Sequence, residues 1–415
     1  MRLLIPLVVG ALQTMPVLAK EGDTFRLFAS YGSTYDDNLF RLAENEGSGT
    51  PRDDFSGSLS AGLTMNWTIG RQNITANLTE TQVRYQRNTS LDYDGHDYQA
   101  AWNWRLGNHL SGNLGTGESV TQSSFSNVSQ INNQVLRQRH FGRVDWELHP
   151  RWRIGLGGEQ ADNTNGASSL STQNFQQQSY DIGLTYITPK GSSLGFQARR
   201  VDSTFPNPQV INVFFPPFPL SLITPPSVTV KDNSYQQTEY ALNGDWRFSG
   251  KLSLQGRLGW IGRSYANSQQ GSFPGFTVAL STRPDFSGVS GRLSGNWSVT
   301  GKTSLSASVY QEPSDAGDIN AITALNQGAS INGAWLVREK WRLNTGATFV
   351  KRSFQGDPGV SQNKDNTLGV SLSLGYTPIR AVSLNVGLSS GSRDSDNTVE
   401  DYKFHSLFAN VRADF

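Results

Sequence analysis

The chain has no cysteine. That excludes disulfides, thiolate metal sites, a thiol nucleophile and lipid attachment through an N-terminal cysteine. It is also poor in apolar residues: 36% are hydrophobic and the mean hydropathy is −0.45. A soluble core built from 415 residues normally draws on more Leu, Ile and Val. The formal net charge of +1 provides no field that would attract nucleic acid. Past residue 19, no run approaches the ~20 apolar residues that a membrane helix needs. With five His, no spacing that marks a Ser–His or paired-carboxylate site, and no glycine-rich phosphate cradle, neither an enzyme nor a cofactor or metal site is expected.

What is present points elsewhere. Arg2, an apolar run over residues 3–12 and the small-residue sequence ending at Ala19 read as a signal peptide over residues 1–19, cleaved after Ala19. The exported remainder, 20–415, reads as one domain. Its 42 Gly and 11% aromatics belong to a repeat in which an aromatic closes an alternating stretch, a short polar turn follows, and another alternating stretch begins. The closing aromatics are Trp67, Trp104, Trp146, Tyr186, Trp246, Trp297, Trp335 and Tyr376, spaced 37 to 60 residues apart. Each interval is one hairpin plus a loop of variable length. Gly107, Gly250 and Gly301 are expected to give their turns a positive φ.

Eight short turns make 16 strands, and one more at each end, 25–31 and 402–415, makes 18. An even strand count, short turns at one end and long loops at the other describe an all-β, transmembrane antiparallel β-barrel of the Gram-negative outer membrane. Period-two alternation spreads the apolar content over one face only, which accounts for the low hydropathy. The eight aromatics then form a girdle at one membrane interface, ring in lipid and N–H or O–H in water. Lipid and lipopolysaccharide are the implied surroundings. Alternation on the last strand ends at Phe415, which reads as an insertion signal.

Nine outer loops remain, the longest at 205–233. Its middle carries five prolines, which forbid a central strand there. Phe214, Phe215 and Phe218 could line a constriction, or cap the barrel against neighbouring loops. Asp36, Asp37 and Asn38, and Asp53 with Asp54, have the oxygen-rich character of calcium ligands but are also common turn formers. His96 falls in an expected outer loop.

With the girdle facing out, Arg137, Arg139, Arg143, Arg153, Arg257, Arg292, Arg342 and Arg352 face the lumen. Counted with Arg105, Arg199, Arg247, Arg263 and Arg412, they outnumber inward Asp145, Glu147, Glu159, Glu239, Asp245 and Asp414 by about two to one. The alternatives are an electropositive solute path and a wall of arginines paired with neighbouring carboxylates.

The segment 25–42, above all Tyr35, Asp36, Asp37, Asn38, Leu39 and Phe40, resembles the EpsL-type exopolysaccharide-biosynthesis transporters linked to exosortase systems. The resemblance implies polymer export; together with the residues read above, the expectation is passive conduction through a hydrated, Arg-lined lumen, with a polysaccharide substrate and periplasmic polysaccharide-export components as partners. The alternatives are a porin for small anionic or sugar solutes, and a structural anchor or rim-site enzyme of a polysaccharide assembly.

Overall fold

In the computed structural model the chain forms a closed barrel. The structure describes residues 23–44, 49, 51–125, 131–207, 209–213, 227–265, 269–273, 276–281, 284–314, 321–356, 364–397 and 400–415. The expected signal peptide, 1–19, and the five prolines in the middle of the long loop with Phe214, Phe215 and Phe218 lie outside them.

The first half of the barrel wall runs β1 (Phe25–Asp36), β2 (Asp54–Ile69), β3 (Gln72–Tyr85), β4 (Tyr93–Leu106), β5 (Leu110–Gln122), β6 (Gln134–His149), β7 (Trp152–Asn165), β8 (Phe175–Ile187) and β9 (Ser193–Thr204). Two loop strands follow, β10 (Gln209–Val213) and β11 (Ser227–Lys231). The wall resumes with β12 (Tyr235–Arg247) and β13 (Leu252–Tyr265). Next come the loop strands β14 (Gln269–Phe273) and β15 (Phe276–Ser281). The wall then continues through β16 (Phe286–Ser298), β17 (Thr303–Ser314), β18 (Ala321–Arg338), β19 (Trp341–Gly356), β20 (Lys364–Ile379), β21 (Val382–Ser395) and β22 (Tyr402–Asp414).

Each wall strand pairs antiparallel with its sequence neighbour in the wall, and β22 pairs with β1, so the sheet of 18 strands has no free edge. Closure satisfies every ladder, which lipid demands because it offers no hydrogen bonds. Strands spaced about 4.8 Å apart and tilted about 40° enclose a backbone cylinder about 35 Å across. The strand count, the eight short turns and the position of both end strands agree with the sequence reading.

The register places most apolar residues of the wall strands on the outer face. On β20 they are Leu368, Val370, Leu372 and Leu374, all more than 40% exposed. Across the hydrogen-bonded ladder stand Phe349, Ala347, Thr345 and Leu343 of β19. Four or five such positions span about 25 Å, the height of an outer-membrane apolar band. In water this face would be one continuous apolar patch, far beyond what soluble proteins carry.

One sequence expectation fails in detail. Of the three turn glycines, only Gly107 has a positive φ, 59°; Gly70 and Gly191, at 60° and 80°, are the other left-handed turn residues of the short-turn end. At the turns of Gly250 and Gly301, hydroxyls do the work instead. Ser249 Oγ accepts the N–H groups of Lys251 and Leu252, and Thr300 Oγ1 accepts that of Lys302. The proline-rich middle of the long outer loop lies outside the described residues, and strands flank it on both sides. β10 and β11 form a hairpin in that loop, and β11 pairs with β14 of the next loop, giving a separate four-stranded sheet at the outer end.

Candidate functional site: the barrel lumen

The segment carrying the family resemblance sits where the barrel closes. Asp36 ends β1 with both oxygens on the Arg41 guanidinium, each at 2.8 Å. Asn38 donates through Nδ2 to the carbonyls of Leu42 and of Lys403 on β22, and its Oδ1 accepts the Leu42 N–H. Asp37 Oδ1 accepts the N–H of His405, also on β22. Arg41 is held at φ 56° with its guanidinium 3.7 Å above the Phe404 ring. A left-handed non-glycine residue is unfavourable on its own; here three side-chain contacts impose it. Thus Asp36, Asp37 and Asn38 act as the fastener of the β1–β22 seam.

Asp54 plays the corresponding part between loops. Its carboxylate accepts N–H groups from Phe55, Gln86, Arg87 and Asn88, and the Asn88 amide. Burial pushes its pKa up, but these hydrogen bonds outweigh burial and hold it below the usual carboxylate value. Asp53 pairs with Arg87 at 2.5 Å. Among the described residues no group of three or more His, Asp or Glu is arranged to hold a metal. Beneath these turns Phe40, Leu42, Leu91 and Phe125 bury one another, tying the first three outer loops together. Burial against that cluster pushes the Tyr85 phenol up to about 12.

The lumen arginines project inward as alternation requires, but most are neutralised. Arg143 lies 3.1 Å from Asp145 and 2.8 Å from Asp181. Arg139 meets Glu159 at 2.8 Å, Arg153 meets Glu147 at 2.8 Å, and Arg257 meets Glu239 at 2.9 Å. Arg292 meets Glu312 at 2.7 Å and Arg352 meets Asp365 at 2.9 Å. Arg137 instead donates to Thr121 Oγ1 at 3.0 Å. Arg342 has neither an acidic partner nor a hydrogen bond among the described residues.

The expected surplus of positive charge is therefore narrowed: six of the eight path arginines follow the second alternative, a wall of ion pairs. Asp181, Glu312 and Asp365, which alternation also turns inward, bring the count from 13 arginines against 6 acids to 13 against 9. His96 lies on β4 rather than in a loop, and faces outward with Nε2 3.0 Å from Glu118 Oε1.

The charged wall occupies one side. Gln197 Nε2 donates to Asp181, Arg257 donates to Gln197 Oε1 and to Glu239, and Ser290 Oγ also donates to Glu239, a network across β8, β9, β12, β13 and β16. The opposite side, β2, β3 and β17 to β22, is mainly serine, threonine and asparagine at mid-depth, as in the cross-strand pairs Ser60–Thr81, Ser308–Ser330 and Ser389–Ser406.

Three large inward rings lie against the wall. Phe141, Tyr310 and Phe408 stand directly opposite Gly115, Gly328 and Gly387 on the neighbouring strand. Each ring lies over its glycine, so that a Cβ at Gly387 would be 2.5 Å from Phe408 Cζ. A ring laid on the neighbouring strand covers the wall instead of reaching the axis, and the missing Cβ is what permits it.

The eight repeat aromatics all stand on the outer face next to the short turns, with Trp146 and Trp246 more than half exposed. Trp152 and Trp341, at the far side of their turns, join them. Trp152 packs 5.1 Å from Tyr186, and Trp341 stacks 4.4 Å from Tyr376. Phe415 exchanges backbone hydrogen bonds with Leu27 across the seam.

Residues 274–415, about a third of the chain, match the sequence family described as "Putative beta-barrel porin 2". No curated protein matches the chain. Among solved structures, it is similar to OpdK of Pseudomonas aeruginosa in a complex with vanillate, at 11% identity and a TM-score of 0.49, over 94% of this chain and 99% of that one. It is also similar to Pseudomonas aeruginosa OpdQ (9%, 0.49, 95% and 100%) and to a BenF-like porin from Pseudomonas fluorescens (10%, 0.49, 95% and 99%). By its own architecture the chain is a porin-like outer-membrane β-barrel: 18 strands closed without an edge, apolar toward lipid and polar within.

Proposed function

We propose that the protein is a passive channel for small hydrophilic solutes, uncharged or weakly charged, rather than a strongly anion-selective pore. The observation that carries this reading is the lumen wall: polar throughout its membrane depth, with most of its charges paired to one another. Paired charges hold few counter-ions, and a hydroxyl and amide wall exchanges hydrogen bonds with water or sugar hydroxyls at little net cost. The rings over Gly115, Gly328 and Gly387 support an open bore, and the partial family match favours a porin over polymer export.

In this reading the eight repeat aromatics are the periplasmic-side girdle, and Phe415 is the mark read during insertion. Phe214, Phe215 and Phe218 remain the candidates for a constriction. Purified protein in planar bilayers should give stepwise conductance with a cation-to-anion permeability ratio near one. In liposomes it should admit neutral sugars at rates that fall with sugar size. Absence of conductance, even after removal of residues 205–233, would sink the channel. Loss of secreted polymer from a gene-deletion strain would restore the export role that the N-terminal resemblance implies.

A further inference from the structure

We propose that a recess in the hydroxyl- and amide-rich side of the lumen wall, beside Arg342, is a binding subsite for a small hydroxylated monocarboxylate, the chemistry of a sugar acid. This assignment rests on the channel reading above. The recess measures about 430 Å³ and is framed by β16 to β20, with Phe408 of β22 at its end. Two of its lining residues, Asn332 and Ser371, flank a position that has no side chain. Gly346 sits between Asn332 and Ser371 on the adjoining strands. A Cβ there would come within 3.0 Å of Asn332 Oδ1 and 2.9 Å of Ser371 Oγ.

The chemistry of the lining is selective. Arg342 supplies one full positive charge, and the recess holds no carboxylate to neutralise it. It is the exception in a lumen whose other path arginines, Arg137 apart, are ion-paired. A single guanidinium matches a single carboxylate, by two parallel charge-assisted hydrogen bonds. Around it stand hydroxyls and amides, Ser371, Ser373 and Asn332 among them, which both donate and accept. An apolar acid would leave those groups without partners, a loss of the kind that gives strong discrimination, whereas a polyhydroxylated one satisfies them. Phe408, lying over Gly387, offers a ring to the carbon face of a sugar.

The test is current blockade in planar bilayers with glucuronate, glucose and acetate as probes. Glucuronate should interrupt the current at concentrations where glucose and acetate do not. Arg342→Gln should weaken that block about tenfold, the factor set by one charge-assisted pair. Gly346→Ala, which crowds Asn332 and Ser371 but keeps the charge, should weaken it as well. Arg71→Gln, which removes a charge from a distant short turn, should leave it unchanged. Unaltered conductance of each variant reports an intact barrel. A glucuronate block of equal strength in wild type and Arg342→Gln, or an acetate block as strong as that of glucuronate, overturns the subsite while leaving the channel in place. A wild-type protein without conductance overturns the channel reading itself.

Discussion

Replacing Arg143 by glutamine removes the cation that holds two carboxylates together. Its guanidinium lies 3.1 Å from Asp145 and 2.8 Å from Asp181, with its side chain about a third exposed to the lumen. The substitution leaves that patch with two negative charges where the wild type has a net charge of −1. For an ion passing about 8 Å from the wall in a water-filled lumen, one unit charge is worth about 0.5 kcal/mol. That raises the local cation concentration about 2-fold and lowers that of anions by the same factor, so the cation-to-anion ratio rises about 5-fold. The reversal potential in a KCl gradient should move accordingly near 0.1 M, where the screening length is about 10 Å. The shift should fade at 1 M, where it is about 3 Å. An electropositive channel would lose anion selectivity and drift toward a ratio of one; a paired wall becomes cation-selective. No change at low salt would refute the placement of Arg143 on the ion path, and a shift toward anions would refute the pairing.

Gly387→Val should lift Phe408 off β21, because the new Cβ would fall 2.5 Å from the ring. We expect a smaller single-channel conductance and a destabilisation of about 1–3 kcal/mol, read from the temperature at which the folded band is lost on semi-native gels. Asn38→Ala removes the hydrogen bonds to Leu42 and Lys403 at the seam. It should lower the urea midpoint by the equivalent of about 1–3 kcal/mol, and an unchanged midpoint would show that the seam holds through its ladder alone. Asp54 has its pKa below the ordinary value, so its stabilising effect is full above pH 4 and is lost as pH falls through the depressed value. Amide exchange at Gln86, Arg87 and Asn88 should therefore rise, relative to intrinsic rates, on acidification below about pH 4, and Asp54→Asn should abolish that pH dependence.

Period-two alternation was enough to count the strands. Each girdle aromatic labels the outward parity of its strand, so Trp146 alone already turns Arg143 and Asp145 inward. The same rule applied to Tyr186 turns Asp181 inward, and applied to Trp297 it turns Arg292 inward, opposite Tyr310 and within reach of Glu312. That these residues face inward could be read from the sequence; which of them pair, and at what distance, could not. The hairpin sheet of the outer loops could not be read at all, since its pairing joins residues about 40 apart in loops with no periodic signal.

The sequence by itself determined the barrel: an edgeless sheet with one apolar face follows from alternation, turn spacing and the two end strands, all properties of neighbours along the chain. Only the tertiary structure decided what the lumen is. Arg143 and Asp181 are 38 residues apart, and they neutralise one another because the ladders of β6, β7 and β8 bring them to 2.8 Å. Arg342 stays unpaired because the same ladders surround it with serine and asparagine. Charge cancellation depends on which side chains lie across two or three strands, and that is set by register, which composition and local periodicity do not contain.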